Sequence, residues 1–165
     1  MFLLSILFIK IQAENCYAVA TGGREAGHYS NATQIVDFAR NSHVVKKGGD
    51  LPEARAGHTI VAADGSGGKV AFVLGGRSVG QTRTDIFCLG TNYEWSTCGE
   101  LVDAREGHVS INYGRSIFSC GGQHNSKVLS SCEKFDLDTF ASRPILTTLR
   151  KGRRSGASVV SGSKE

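Results

Sequence analysis

The run AFVLGG at residues 71–76 ends an apolar segment in two glycines, and the same figure recurs as YAVATGG at 17–23 and SIFSCGG at 116–122. The second glycines, Gly23, Gly76 and Gly122, fall 53 and 46 residues apart. A period of this size marks a repeat architecture, whose units bury their apolar faces only by stacking on one another. After Gly22-Gly23, Gly75-Gly76 and Gly121-Gly122 comes a polar loop, then a second strand-like run: TQIVDFA at 33–39, TDIFCLG at 84–90 and SCEKFDLD at 131–138. These runs carry Phe38, Phe87 and Phe135, each with an acid close by at Asp37, Asp85 and Asp136.

A second figure shares the period. LPEARAGH at 51–58 and LVDAREGH at 101–108 agree at leucine, alanine, arginine, glycine and histidine, and lead into TIVAA and VSINY. One period therefore holds four short strands separated by turns. With 21 glycines, 2 prolines and short runs of Val, Ile and Thr, the chain reads as all-β. Four short strands per period suit a twisted, four-stranded antiparallel blade, with the Gly-Gly strand expected innermost, where backbones crowd and φ is positive.

These residues resemble kelch repeats, whose β-propeller blades carry a double glycine, a Tyr or Phe and a spaced Trp. The matching positions are the three Gly-Gly pairs, Phe38, Phe87 and Phe135, and Trp95, while Val45 and Phe140 stand where the other two tryptophans are expected. The resemblance implies kelch-type β-propeller blades in a partial or open array of about three repeats, fewer than the four to eight blades of a closed propeller. Repeats are placed at 14–50, 51–100 and 101–145, with 146–165 starting a further one. There, Arg150-x-Gly152 and Arg154-x-Gly156 compete to continue the Arg-x-Gly turn. An unfinished array exposes strand edges, so the chain reads as a fragment, or as one completed by self-assembly or by missing chain.

A length of 165 residues fits one structural unit. The apolar start, MFLLSILFIKIQA at 1–13, reads as a secretory signal cut after Ala13 or as the first strand of the first blade; it is too short to span a bilayer. Five cysteines fit no C-x-x-C zinc pattern; Cys88 with Cys98 and Cys120 with Cys132 flank turns between neighbouring strands and are candidate disulfides, leaving Cys16 odd. If all five are reduced, they instead bury as small apolar residues. Asn31-Ala32-Thr33 is an N-glycan acceptor sequence. Signal, cysteines and sequon point to the extracellular space, against a cytoplasmic alternative. The net charge of +4 comes mainly from LRKGRRSGAS at 149–158, a local basic cluster and not a nucleic-acid-binding composition.

Identical residues at one repeat position are carried to separate places, so Arg55, Arg105, His58 and His108 read as structural: arginine bonding turn carbonyls and carboxylates, histidine capping the strand start. A pH-sensing or ligand role is the alternative for the histidines. Function is expected in the unlike loops beyond each Gly-Gly, since loops on a rigid scaffold carry binding. These contain Arg24, Glu25, His28 and Tyr29; Arg77, Gln81 and Arg83; and Gln123, His124, Asn125 and Lys127. His28 and His124 suggest no third metal ligand, and no cofactor or metal is assigned. No G-x-S-x-G or phosphate-loop motif occurs, and DGSGGK at 64–69 falls between two strands, where a hairpin turn accounts for it. Galactose-oxidase-like enzymes resemble kelch propellers, but Tyr17, Tyr29, Tyr93 and Tyr113 fall in unlike contexts. The expectation is a non-enzymatic scaffold for protein partners, secreted, without nucleic acid or a membrane span. The alternatives are an intracellular ubiquitin-ligase adaptor module and, last, an oxidase-like propeller.

Overall fold

A computed structural model of the chain describes residues 5–10, 16–37 and 44–156. The cleavage expected after Ala13, Phe38, and the side chains of Cys16 and Val45 lie outside the described set. The described residues are all-β. In chain order the first repeat contains β1 (Ser5–Lys10), β2 (Cys16–Thr21), the two-residue ladder β3 (Arg24–Glu25) and β4 (His28–Tyr29), β5 (Thr33–Asp37) and β6 (Val44–Lys47). The second has β7 (Thr59–Gly65), β8 (Lys69–Leu74), β9 (Arg77–Ser78), β10 (Gln81–Thr82), β11 (Asp85–Gly90) and β12 (Trp95–Glu100). The third has β13 (Val109–Tyr113), β14 (Ser116–Cys120), β15 (Gln123–His124), β16 (Lys127–Val128), β17 (Cys132–Asp136) and β18 (Ser142–Ile145).

Each repeat forms one four-stranded antiparallel sheet, ordered β1-β2-β5-β6, β7-β8-β11-β12 and β13-β14-β17-β18, and each short pair forms its own small ladder. Strand β7 adjoins both β1 and β13, so the three sheets fan outward from their first strands like propeller blades. This corrects the expectation that the Gly-Gly strand lies innermost. Strands β2, β8 and β14 are second from the inside, because the turn joining two blades delivers the chain to the inner edge first. Ser5–Lys10, read as signal or strand, pairs along its length with Cys16–Thr21. DGSGGK forms the expected hairpin turn, with Gly67 and Gly68 at φ 67° and 71°.

The core lies between blades. Val19, Ile35 and Leu51 pack against Val73, Phe87, Leu89 and Trp95 at the first junction. Phe72, Leu74, Ile86 and Leu101 meet Ile117, Phe135 and Leu137 at the second. The middle blade is thus covered on both faces, which explains why AFVL runs apolar without alternation. Phe72 is fully buried and meets Phe135 edge-on with ring centroids 5.9 Å apart; such burial stabilises by roughly 2–3 kcal/mol. Both sequence-paired cysteine couples, Cys88 with Cys98 and Cys120 with Cys132, are joined as disulfides. Cys120 and Cys132 are directly opposed across β14 and β17.

The structure also realigns the aromatics. Gly75 N–H bonds Asp85 O and Gly121 N–H bonds Ser131 O, which makes Asp85 the counterpart of Ser131. Phe135 therefore matches Leu89, and Phe87 matches Glu133. The two phenylalanines share a face but not a position, since alternate residues of a strand look the same way. Phe140, expected at the tryptophan place, instead matches Tyr93: both have positive φ, 55° and 64°. Ser142, opposite Phe135, holds the place of Trp95, opposite Leu89. Trp95 reaches back across the junction and donates from Nε1 to Thr33 Oγ1 at 3.0 Å.

Candidate functional site: the hairpin face and the inter-blade turns

The Arg-x-Gly-His segments cross from one blade to the next and clamp both. Gly23 N–H donates to Arg55 O at 2.8 Å and Gly76 N–H to Arg105 O at 2.9 Å, fastening each Gly-Gly to the following turn. The fit leaves no room for a side chain. A Cβ on Gly75, at φ +57°, would stand 2.5 Å from Arg105 O. The turns are also tied to each other, Gly107 N–H bonding Gly57 O at 2.7 Å and Ser155 N–H bonding Gly107 O at 2.7 Å.

The arginine side chains turn into their own blades. Arg55 is fully buried, donates from Nη1 to Gly75 O at 2.9 Å, pairs with Glu53 and Asp85 at 3.1 and 3.3 Å, and lies 4.0 Å over the Phe87 ring. Burial lowers its pKa below the ordinary arginine value despite those carboxylates. Arg105 repeats the first contact, to Gly121 O at 2.8 Å, but its second partner differs: Glu133, 1% exposed, sits 2.7 Å from Nη2. The same socket is floored by an aromatic ring in one blade and a carboxylate in the next. Burial pushes the Glu133 carboxyl up, opposed by Arg105 and by the backbone N–H of Val102 and Asp103.

His58 and His108 are wedges between blades. His58 bonds the backbone of Thr21 in the first blade and closes on Gly76, where an added Cβ would meet its own Cβ at 2.9 Å. The Thr59 hydroxyl donates to Ser110 Oγ at 2.7 Å, which leaves His108 Nε2, 3.0 Å away, to donate to Thr59. Burial, with Arg55 alongside, lowers His58 to about 4; burial, with Arg105 and His58 nearby, lowers His108 to about 3. Both rings are neutral near pH 7.

The loops beyond Gly-Gly are two-residue hairpins at the same end of the molecule as these turns. Their tips have positive φ at both central residues: Ala26 and Gly27, Val79 and Gly80, Asn125 and Ser126. This is the turn whose twist matches that of the flanking strands. Arg24 stacks 5.0 Å from the Tyr29 ring. Arg77 pairs with Glu106 at 3.0 Å and is held above its ordinary pKa by that carboxylate, with Tyr29 adding to the effect. Gln123 donates to the same Glu106 oxygen at 2.9 Å, and Arg154 bonds Gln123 Oε1. One polar chain therefore runs from Arg24 through Tyr29, Arg77, Glu106 and Gln123 to Arg154, tying all three hairpins. Beneath it opens a cleft of about 390 Å³ whose lining includes His58, Thr59, Glu106, His108, Gln123 and Arg154.

Not every expected loop residue joins this surface. Arg83 turns inward to pair with Glu53 and Asp85 at 2.7 and 3.2 Å, so it belongs to the Arg55 network. Glu25, His28, Gln81, His124, Asn125 and Lys127 are exposed on the hairpins. His28 and His124 sit on different blades, and no cluster of three metal-ligating side chains occurs among the described residues. Asn31 is exposed and donates to Leu51 O at 3.4 Å, while the sequon hydroxyl of Thr33 is buried against Thr21 and Trp95. No helix of the described residues is long and apolar enough to cross a membrane.

Glu106 and Arg154 are the residues that sequence reasoning missed. Both occupy the variable x of Arg-x-Gly-His, where the second blade has Ala56; that variability inside an otherwise fixed motif was the available signal. The turn into a fourth unit is also reassigned. Leu149 N–H bonds Ser130 O as Leu101 bonds Thr84 O, and Gly122 N–H bonds Arg153 O at 2.7 Å. Arg153, neither Arg150 nor Arg154, holds the motif position; Ser155, at φ 56°, replaces the glycine and Gly156 the histidine. A serine in the glycine place hid the frame.

No protein-family profile matches the chain. Over 120 residues it is 32% identical to V(D)J recombination-activating protein 2 of Gallus gallus, a match covering 61% of this chain and 22% of that protein. The chain thus spans about a fifth of the length of this relative.

Proposed function

We propose that the chain is a segment of a kelch-type β-propeller that binds protein partners through its hairpin face and performs no chemistry of its own. One observation carries this reading: a division of labour between like and unlike residues. The repeated arginines and histidines are used up inside the blade junctions. The hairpins at the same end differ from one another in sequence and present Arg24, His28, His124 and Lys127 to solvent. Val79 stands 84% exposed at a hairpin tip with φ 41°, a costly place for a β-branched residue and a natural apolar contact for a partner. Arginine and tyrosine on a rigid support are the residue types that carry interface energy. The similarity to the chicken protein supports a shared repeat scaffold; the recombination in that protein's name is said of it alone.

Two disulfides and the exposed Asn31 favour secretion over the cytoplasmic adaptor reading, because disulfides persist in oxidising compartments. The test has two arms. Expressed in a secreting animal cell, the chain is expected in the medium with four cysteines resistant to alkylation and a glycan on Asn31; an unglycosylated, reduced product overturns secretion. As bait against a panel of extracellular domains, it is expected to retain a partner that is lost on combined Arg24→Ala, Val79→Gly and Lys127→Ala and kept on Arg143→Ala. Equal retention by both variants overturns the hairpin face.

A further inference from the structure

We propose that Asn31 accepts a glycan only while the first two blades are apart, so that glycosylation and folding of this chain compete for the hydroxyl of Thr33. The inference rests on the secretory reading for its place in the cell, and extends that reading to when the sugar is added. Asn31-Ala32-Thr33 is the chain's one N-x-Ser/Thr sequence. Such a sequence demands serine or threonine at its third place, so the transferase must reach that hydroxyl. In the folded chain the hydroxyl is withdrawn. Thr33 is 1% exposed; its Oγ1 lies 2.8 Å from Thr21 Oγ1 and accepts from Trp95 Nε1 at 3.0 Å. The backbone is held as well, with the carbonyls of Asn31, Ala32 and Thr33 accepting from the N–H groups of Leu51, Gly22 and Gly48 at 2.8, 3.0 and 3.1 Å. The Asn31 side chain is exposed, so the block lies at the hydroxyl and the backbone and not at the asparagine.

The other repeats show what is particular to Thr33. Thr21 faces Thr33 across β2 and β5, Leu74 faces Ile86 across β8 and β11, and Cys120 faces Cys132 across β14 and β17. At this one place the second blade has an apolar pair and the third a disulfide, while the first has two hydroxyls. Packing alone is served by Leu74 and Ile86, both 0% exposed. Thr33 has two successive uses: it completes the acceptor sequence before the junction closes and receives Trp95 afterwards. Trp95 follows Thr33 by 62 residues, which at roughly 5–20 residues per second of synthesis leaves about 3–12 s before that partner exists. During this interval the first blade lacks the neighbour that buries its apolar face, and a repeat unit gains stability only by stacking. The step itself is a substitution on a polyprenyl diphosphate oligosaccharide. Asn31 Nδ2 bonds to C1 of the sugar, the C1–O bond breaks, the diphosphate leaves with the bonding pair, and one amide proton passes to the medium. The product amide keeps one N–H, enough for its bond to Leu51 O at 3.4 Å. The glycosylated chain therefore closes the same junction with the sugar outside.

The experiment is transfer by detergent-solubilised oligosaccharyltransferase, from a dolichol diphosphate oligosaccharide to the purified, unglycosylated chain, followed by intact mass. Three forms are compared: native with both disulfides, reduced and carboxymethylated, and native Trp95→Phe. Carboxymethyl groups on Cys88 and Cys132, 0% and 3% exposed, put charges inside the folded structure and keep it open; circular dichroism reports the loss of strands. The opened chain is expected to take one glycan, abolished by Asn31→Gln, at least about a hundredfold faster than the native chain, since opening a packed junction is far rarer than fraying at a loop. Trp95→Phe keeps a ring but removes the donor to Thr33, and is expected to raise the native rate about fivefold, the worth of one hydrogen bond. Equal rates in the native and opened chains overturn the proposal. So does an opened chain that takes no glycan, or a Trp95→Phe chain modified no faster than the native one. The purified chain meets the transferase wherever the cell keeps it, so finding the chain in the cytoplasm would overturn secretion and leave this result standing.

Discussion

Replacing Arg105 by methionine removes the cation from a socket it fills completely. Arg105 Nη1 serves two carbonyls, Gly121 O at 2.8 Å and Ser131 O at 3.1 Å, and Nη2 pairs with the buried Glu133 at 2.7 Å. Methionine recovers the packing of the stem but leaves a carboxylate in the interior. Breaking a buried pair from one side costs about 3–5 kcal/mol. The two carbonyls that lose their donor add up to about 1 kcal/mol each. A loss near 5 kcal/mol is comparable to the whole stability of a weak domain. Arg55→Met at the equivalent position is expected to cost only about half as much, because Glu53 and Asp85 have side chains 32% and 28% exposed and rehydrate, and the Phe87 ring stays as the floor. Combining Arg105→Met with Glu133→Gln removes the stranded charge and restores about 2 kcal/mol. The Arg105→Met deficit also shrinks in acid. Glu133 already has a raised pKa in the folded chain, and losing Arg105 raises it further, so stability is lost as pH climbs above the unfolded carboxylate value and returns below it. Urea unfolding of the four proteins in non-reducing buffer at pH 8 and pH 5 measures all of this. Equal losses at Arg55 and Arg105, or a double variant no better than Arg105→Met alone, refute the reasoning.

Three further outcomes follow from the same contacts. The depressed pKa values of His58 and His108, about 4 and about 3, mean that the unfolded chain takes up protons first; stability is complete above pH 6.5 and falls as pH drops toward 4, by roughly 3 kcal/mol per histidine at 1.4 kcal/mol per decade, and His108→Gln flattens the decline seen in urea midpoints. Reducing the two disulfides, which close loops with sequence separations of 10 and 12, costs about 2.5–3 kcal/mol each by loop entropy, read as a drop in thermal midpoint with dithiothreitol. Gly75→Ala forces a Cβ to 2.5 Å from Arg105 O at positive φ and is expected to destabilise by at least about 2 kcal/mol, whereas Gly80→Ala at a hairpin tip, with nothing within 4 Å, costs about 1 kcal/mol for its φ alone.

What could be read from the sequence was whatever the repeat forces. Gly22-Gly23, Gly75-Gly76 and Gly121-Gly122 must be glycine because the next turn lies against them, so they recur and announce the period. Cys120 and Cys132 are found because equal strand lengths on either side of a hairpin bring them opposite. What stayed hidden is what the repeat leaves to choice. Phe87 and Phe135 look alike in one dimension, yet they sit two residues apart in register, and only the hydrogen bonds of Gly75 and Gly121 reveal it. Arg83 reads as a loop cation, but a neighbouring pair of carboxylates, Glu53 and Asp85, draws it inward. The polar chain through Glu106 spans three blades, and no local pattern encodes a contact between Arg77 and Gln123.

The account stands on the inter-blade turns being the locks of the array, with the amides of Gly23, Gly76 and Gly122 bonded to Arg55, Arg105 and Arg153 carbonyls. Native-state hydrogen exchange resolved to single amides measures this directly. The account predicts that Gly23 and Gly76 exchange with the slow, globally protected strands, while the tip amides of Gly27 and Gly80 exchange freely. Gly23 and Gly76 exchanging as fast as the tips would contradict it.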